Sequence, residues 1–491
     1  MSKKIKRNTF KHKAINASFK RSIDNNLLPG SSSATINNDA NIVSLNYSAV
    51  GDKSLSAPLI KDGPISTKIK LTYYGDSPTA STGFGTVARN ILLPLHNSGE
   101  YDIKVLGINY WGDPHQFPFP IWPMAVGLGA DMRDPFGRQK AQNLLMSKSM
   151  EYDILFMLQD TFIMNSFLPQ FVPKLRNSGR RFRSVYYFPI DGIPKPTWMS
   201  SVDVVDVPVT YTNFGFKECV KILPTLKDKL RIISHGVNTT EFFPIEQDKV
   251  LEFRERFFKH KSKSFIMLNV NRNQQRKDIP RSLMVLKEIR KKIDDCILYL
   301  HCAIVDQGWN MEQVSYAFGF DLKDGDVIMP SSFNPAVGFP IQTLNFIYNA
   351  SDLVISTTVG EGWGLSATEA MATNRCCVFP DNTSLNEIFA DGRGKLVKCG
   401  DTPSHFNVIP NDNEIIRPVV NVEDMAEKII YLYEHPEERA AIAKKGYDYT
   451  INNLTWSNHI TPQWDRLFKE EYNKITKVSH NGNQVIGGSI L

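Results

Sequence analysis

From Lys68 onward the chain alternates short apolar runs with helix-length amphipathic segments, and this alternation constrains the fold more than any other feature. Apolar runs joined by crossover helices build parallel sheets, because adjacent parallel strands need a long connection and a helix lying on the sheet face supplies it. In the first half, strands are expected at Ile69–Tyr74, Ile103–Ile108, Ile154–Leu158, Ser184–Phe188, Pro208–Thr212 and Arg231–Ser234, with helices at Thr86–Leu95, Thr161–Asn177 and Phe214–Leu223. In the second half, strands are expected at Phe265–Val270, Cys296–Cys302, Asp326–Met329, Leu353–Ser356, Cys376–Phe379 and Lys395–Lys398. Helices there fit Pro280–Ile293, Met311–Phe318, Ile341–Asn349, Ala367–Ala372 and Val422–Tyr433. The charged segment Glu246–Lys263 reads as a link plus a leading helix, and two more amphipathic helices follow Pro436. The pattern predicts an α/β protein of two Rossmann-like domains in series, 68–244 and 245–455. A tail (1–67) precedes them; a C-terminal helix (456–477), long enough to pack across both, and a flexible tail (478–491) follow.

At 491 residues, 42% hydrophobic and 22% charged, the chain is too long for a single small module and too apolar for a disordered scaffold. Its most apolar stretch, Phe117–Ala130, is interrupted by Pro118, Pro120 and Pro123, so no membrane span is expected. No apolar core follows the basic amino terminus, which argues against a secretory signal. The six cysteines show no framework spacing, and the adjacent pair Cys376 and Cys377 would face opposite sides of a strand. A reducing, cytoplasmic setting fits this pattern.

The net charge of +6 belongs to the tail, since residues 1–23 hold eight Lys/Arg and no acid. The Asn/Ser-rich continuation to about Thr67 has no strand or helix period and reads as disordered or loosely attached. Such an arm suits nucleic acid or an anionic membrane surface through counterion release, or serves only to solubilise. Arg176, Arg180, Arg181 and Arg183 form a second basic cluster that would extend such a surface or decorate a solvated turn.

Ligands of open α/β sheets bind beyond the carboxyl ends of the strands, so the loops there carry the candidate chemistry. The first strand leads into Gly75–Gly85, where Gly83 and Gly85 open a helix whose amino terminus suits an anion, or form only a tight turn. The segment has neither the dinucleotide three-glycine spacing nor a phosphate-loop lysine. Asn271 to Asp278 follows the first strand of the second domain; there Arg272 and Lys277 would jointly neutralise a diphosphate or simply decorate a surface turn. Gly360-Glu361-Gly362-Trp363-Gly364-Leu365-Ser366 then leads into a helix. Ser366 and Glu369 have capping-box spacing, which accounts for Glu369 but not for Glu361 beside an exposed-looking Trp363. The two carboxylates suit the hydroxyls of a sugar and a ribose.

Glu361-x7-Glu369 with its Gly-Trp-Gly resembles the retaining glycosyltransferases of family 4 (group 1), which have the GT-B fold of two Rossmann-like domains facing across a cleft. Other landmarks follow that family's order: Gly83 and Gly85, then Ser234-His235-Gly236-Val237-Asn238 with Phe242 and Pro244, then Arg272 and Lys277, and later Asn386-Glu387. The likeness spans roughly Ile69 to Phe468. It implies a first domain for the acceptor and a second for a UDP- or GDP-linked sugar. By this resemblance Glu361, Arg272 and Lys277 are the catalytic group, and Gly83, Gly85, Glu369, Gly362, Trp363, Gly364, Leu365 and Asn271 line the donor site. The implied reaction transfers the sugar with retention and uses fixed cations in place of a metal or other cofactor.

The chain departs from the family where many members carry a His in the first domain; it has Asp160 and Asp191 there, candidates for sugar or acceptor contacts or else only turn residues. His235 is a third such candidate, or packs at the domain junction. Asp324-Gly325-Asp326 has the letters of a metal-binding Asp-x-Asp, but it precedes a strand and reads as a turn. A phosphorylase on this fold would need a lysine for pyridoxal phosphate, which no motif locates. The acceptor is a glycan, a lipid or a hydroxymethylated DNA base, and the alternative is a non-catalytic sugar- or nucleic-acid-binding protein on the same fold.

Overall fold

The computed structural model describes residues 68–124, 134–331, 333, 338–410 and 412–482, with side chains as far as 476. The basic tail read from the sequence therefore lies outside the described residues. The first lobe runs β1 (Ile69–Asp76), α1 (Gly83–Asn97), β2 (Tyr101–Ile108), β3 (Ile121–Pro123), α2 (Arg138–Met146), β4 (Ile154–Leu158), α3 (Thr161–Met164), α4 (Leu168–Asn177), β5 (Arg183–Phe188), α5 (Met199–Asp203), β6 (Val207–Thr210), α6 (Asn213–Ile222) and β7 (Arg231–Ile232). The second opens with α7 (Gln247–Phe258), β8 (Phe265–Val270), α8 (Ile279–Ile289), β9 (Cys296–His301), α9 (Met311–Ala317), β10 (Val327–Ile328), α10 (Ile341–Asn349), β11 (Leu353–Ile355) and α11 (Leu365–Ala372). It continues through β12 (Cys377–Pro380), α12 (Leu385–Ile388), β13 (Lys395–Val397), the hairpin β14 (Phe406–Val408) and β15 (Ile416–Pro418), and α13 (Val422–Glu434). Helices α14 (Pro436–Asn453) and α15 (Thr461–Gly482) end the described chain, so residues 483–491 of the expected flexible tail lie outside it.

Both main sheets are parallel, ordered β3-β2-β1-β4-β5-β6-β7 and β10-β9-β8-β11-β12-β13. Helices cover both faces, so the central strands read as unbroken apolar runs: every residue of β4 and of β9 is buried. Cys376 and Cys377 pack into different core clusters, as alternation across a sheet requires.

The last helix was expected across both domains, yet its contacts gather on the first lobe, at α1, β4 and β5. Its apolar stripe explains this. Trp464 lies against Phe156 and Tyr187, and Phe468 against Tyr101 and Phe156. Polar contacts reinforce the seat: Tyr101 Oη donates to Asp465 Oδ1 at 2.8 Å, and Arg183 Nε meets Glu471 at 2.7 Å. Among the described residues no helix is long and apolar enough to cross a membrane.

Candidate active site

Each sheet has one point where the connections from neighbouring strands leave in opposite directions, and there a crevice opens at the carboxyl ends. In the first sheet this point lies between β1 and β4, followed by the loop to Gly83 and by Gln159-Asp160. In the second it lies between β8 and β11, followed by Asn271–Asp278 and by Ser356–Gly364. The carboxylate and cations singled out in the sequence thus sit on adjacent strands for a topological reason.

Glu361 is buried and accepts from Lys277 Nζ and, at 3.2 Å, from Arg276 Nη1. Its own N–H donates to Thr383 Oγ1 at 2.9 Å. Burial opposes the charge on Glu361, but Lys277 and Arg276 outweigh it and hold the carboxyl at about 2. Arg276 also reaches the other lobe, its Nε 3.2 Å from Asp191 Oδ2. Arg417, only 2% exposed, donates to Asp191 Oδ1 at 3.2 Å and to Asp412 at 2.7 Å. Asp191 therefore links two cations of the second lobe.

The glycines around Glu361 are needed for close approach and for one turn. A Cβ on Gly360 would lie 2.1 Å from the Asp191 carbonyl, and one on Gly362 would lie 2.6 Å from Pro189 Cβ. Gly364 caps α11 with φ +108, so the expected capping box does not form and Ser366 lies inside the helix. Glu369 instead accepts from Tyr348 Oη at 2.8 Å. Burial, aided by nearby Glu241, raises its carboxyl to about 7.

Across the cleft, the α1 amino terminus approaches that of α11: a Cβ on Gly83 would lie 3.5 Å from Leu365 Cδ1. Thr82 caps α1 by accepting from the Gly85 N–H at 3.0 Å. That N–H is thus committed, and Gly85 serves packing, since a Cβ there would meet the Ala80 carbonyl at 2.4 Å.

Arg272 stands apart from this cluster. Its side chain is 42% exposed and meets Asp306, Nε to Oδ2 at 2.7 Å. Asn271 is tied to Asn269 Oδ1 at 2.7 Å and Ser356 Oγ at 3.2 Å. Trp363, expected to be exposed, is 7% exposed because the lobes close over it, with its ring 5.9 Å from His235. His235 is buried, 2.7 Å from Tyr187 Oη, and burial lowers its ring to about 3. It packs at the junction. Asp160 precedes α3 without capping it, and burial, reinforced by Asp191, raises its carboxyl to about 7.

Most of the basic cluster is engaged locally. Arg176 and Arg183 pair with Asp206 at 3.1 and 2.9 Å, and Arg180 donates to Met150 O at 2.9 Å. Asp326 pairs with Lys261 and Arg290 beside a positive-φ Gly325, consistent with the turn reading. Sequence reasoning missed Arg276, Arg417 and the hairpin, and left Glu387 a landmark without a role. Glu387 reaches across the lobes and accepts from the Asn213 N–H at 3.0 Å and Asn213 Nδ2 at 2.9 Å, at the start of α6. The adjacency of Arg276 to Lys277 was the signal available for the first.

A paired-lobe sheet architecture with a charged cluster at facing switch points is the GT-B arrangement, and solved structures agree. Sucrose-phosphate synthase from Thermosynechococcus elongatus superposes with a TM-score of 0.63 at 15% identity, covering 83% of this chain and 100% of that one. A glycosyltransferase from Rickettsia africae ESF-5 gives 0.61 at 16%, covering 82% and 98%. HepE of Anabaena, solved in complex with UDP, gives 0.59 at 14%, covering 82% and 100%. The chain has the GT-B fold, and residues 337–449 match the family described as glycosyl transferases group 1. No curated protein matches the chain.

Proposed function

We propose that the protein is a retaining glycosyltransferase that moves a sugar from a UDP- or GDP-linked donor to an acceptor hydroxyl. The observation that carries this reading is Glu361 held ionised by Lys277 and Arg276 at the switch point of the second sheet, opposite the α1 amino terminus. Lys277 and Arg272 receive the diphosphate; Arg272, 42% exposed and held by Asp306, exchanges that carboxylate for the diphosphate. Glu361 accepts hydroxyls of the transferred sugar, and Glu369 those of the ribose. The UDP complex of HepE, on the same fold, supports a uridine donor.

In the transfer, the bond from the anomeric carbon to the β-phosphate oxygen breaks and the nucleoside diphosphate leaves with its electron pair. The acceptor oxygen bonds to that carbon from the same face, and its proton passes to the departing diphosphate. Stabilising the leaving charge with fixed cations is the protein's main contribution. Incubation with a panel of UDP- and GDP-sugars, with and without chelator, tests this: we expect nucleoside diphosphate release and an anomeric configuration in the product that matches the donor. Tight binding with no release in the presence of acceptors would instead indicate a sugar-binding protein.

A further inference from the structure

Beside the charged cluster lies a second space, a cleft of ≈ 470 Å³ bounded by Asp160–Phe162, Pro189–Gly192, Pro194 and Trp198 of the first lobe and by Gln274–Arg276 and the β14–β15 hairpin of the second. Its size suits a small organic ligand. Neither Glu361, Lys277 nor Glu369 lines it, so it is separate from the donor residues yet one side chain away, through Arg276.

The lining has a definite chemistry. Phe162 is 43% exposed, and its ring centre lies 5.8 Å from that of Trp198 at 49°, which makes an open aromatic wall. Gln274, Gln275, Gln307 and Asn413 bring side-chain amides. Among the described residues the charged lining is three aspartates and two arginines, with no lysine. Both arginines are committed: Arg417 to Asp191 and Asp412, Arg276 to Asp191 and Glu361. A phosphate-bearing acceptor would therefore meet three carboxylates against two arginines, each shared between two acids, while the neighbouring Lys195, outside the lining, is paired with Glu414 of the hairpin. Aromatic rings against the C–H face of a sugar, with amides and carboxylates on its hydroxyls, are the complement of an uncharged carbohydrate.

We propose that this cleft is the acceptor subsite and takes an uncharged carbohydrate, its ring against Phe162 and Trp198 and its hydroxyls on Asp160 and Asn413. The inference rests on the transfer reading above and names its acceptor class. It also gives the hairpin a role. Inserted between β13 and α13, the hairpin brings Ile409, Asn413 and Ile415 to the cleft wall, so its tip selects among acceptors.

The test uses whichever nucleotide sugar the chain turns over, a panel of neutral oligosaccharides and p-nitrophenyl glycosides, and a short DNA duplex carrying hydroxymethylcytosine. We expect an uncharged glycoside to accelerate nucleoside diphosphate release, and Phe162→Ala to raise its KM about tenfold with the donor KM within about twofold. Asn413→Gly, which keeps the positive φ of 54° while deleting the amide, should do the same and guards against a folding artefact. Donor turnover with unchanged acceptor KM in both variants would overturn the inference and leave transfer standing. So would acceleration by the DNA alone, or by none of the glycosides. Donor binding without any turnover would remove the transfer reading, and this inference with it.

Discussion

Arg276 stands between Asp191 and Glu361, with guanidinium nitrogens 3.2 Å from a carboxylate oxygen of each. One side chain therefore joins the lobes at the carboxylate assigned to the transferred sugar. Removing it leaves two acids facing each other with only Lys277 and Arg417 for compensation. Breaking a buried pair costs roughly 3–5 kcal/mol, and solvent screening of the half-buried guanidinium lowers the expectation for Arg276→Ala to about 2 kcal/mol. Urea unfolding measures it; an unchanged midpoint would mean that water replaces the cation.

Arg272→Ala separates chemistry from stability. The Arg272 side chain is 42% exposed and its partner Asp306 11%, so stability should fall by no more than about 1 kcal/mol. Turnover of the nucleotide sugar should nonetheless fall by about a hundredfold, the usual loss when one stabilising donor is removed. Normal turnover would take Arg272 out of the diphosphate site.

The buried carboxyl of Glu369 sets a pH dependence with a definite sign. It titrates at about 7 when folded, while an unfolded glutamate titrates near about 4.3. Between these values the folded chain binds the extra proton. Its stabilising contribution is therefore complete below the lower value and is lost as pH rises through the higher one. Asp160 adds a slope of the same sign. Glu369→Gln should flatten, without abolishing, the fall in stability between pH 5 and pH 8 in urea titrations. Ribose hydroxyls donate to the ionised form, so UDP affinity should rise over the same window in the parent and stay flat in the variant.

Glu387→Ala should cost about 1 kcal/mol, the usual cost of uncapping a helix, because its carboxylate accepts from the first residues of α6. Glu387→Gln keeps an acceptor and should recover about half. Equal losses in the two variants would show that charge, rather than capping, matters there.

The parallel strands were legible because both faces of the sheets are covered, which turns each central strand into an apolar run. Ile154–Leu158, Phe265–Val270 and the helix Ile341–Asn349 form with the bounds read from the sequence. Strand β3 was hidden by Pro123 within it and Pro120 just before it, and the hairpin by strands only three residues long. Within the site, Glu361 and Lys277 do come together. Local sequence could not tell which arginine joins them, because that depends on Asp306, 34 positions from Arg272, and on Asp191 in the other lobe. The capping-box pattern at Ser366 failed for a related reason: the left-handed turn at Gly364 starts the helix earlier.

The return of α15 to the first lobe has a consequence for how the molecule is made. Tyr101 and Asp465, 364 positions apart, must meet before that lobe is finished, and Trp464 covers the aromatic faces of Phe156 and Tyr187. The lobe synthesised first is thus sealed by residues that follow the whole of the second lobe in the chain. A nascent chain stalled before Trp456 would hold a completed carboxyl-terminal sheet beside an unsealed amino-terminal one.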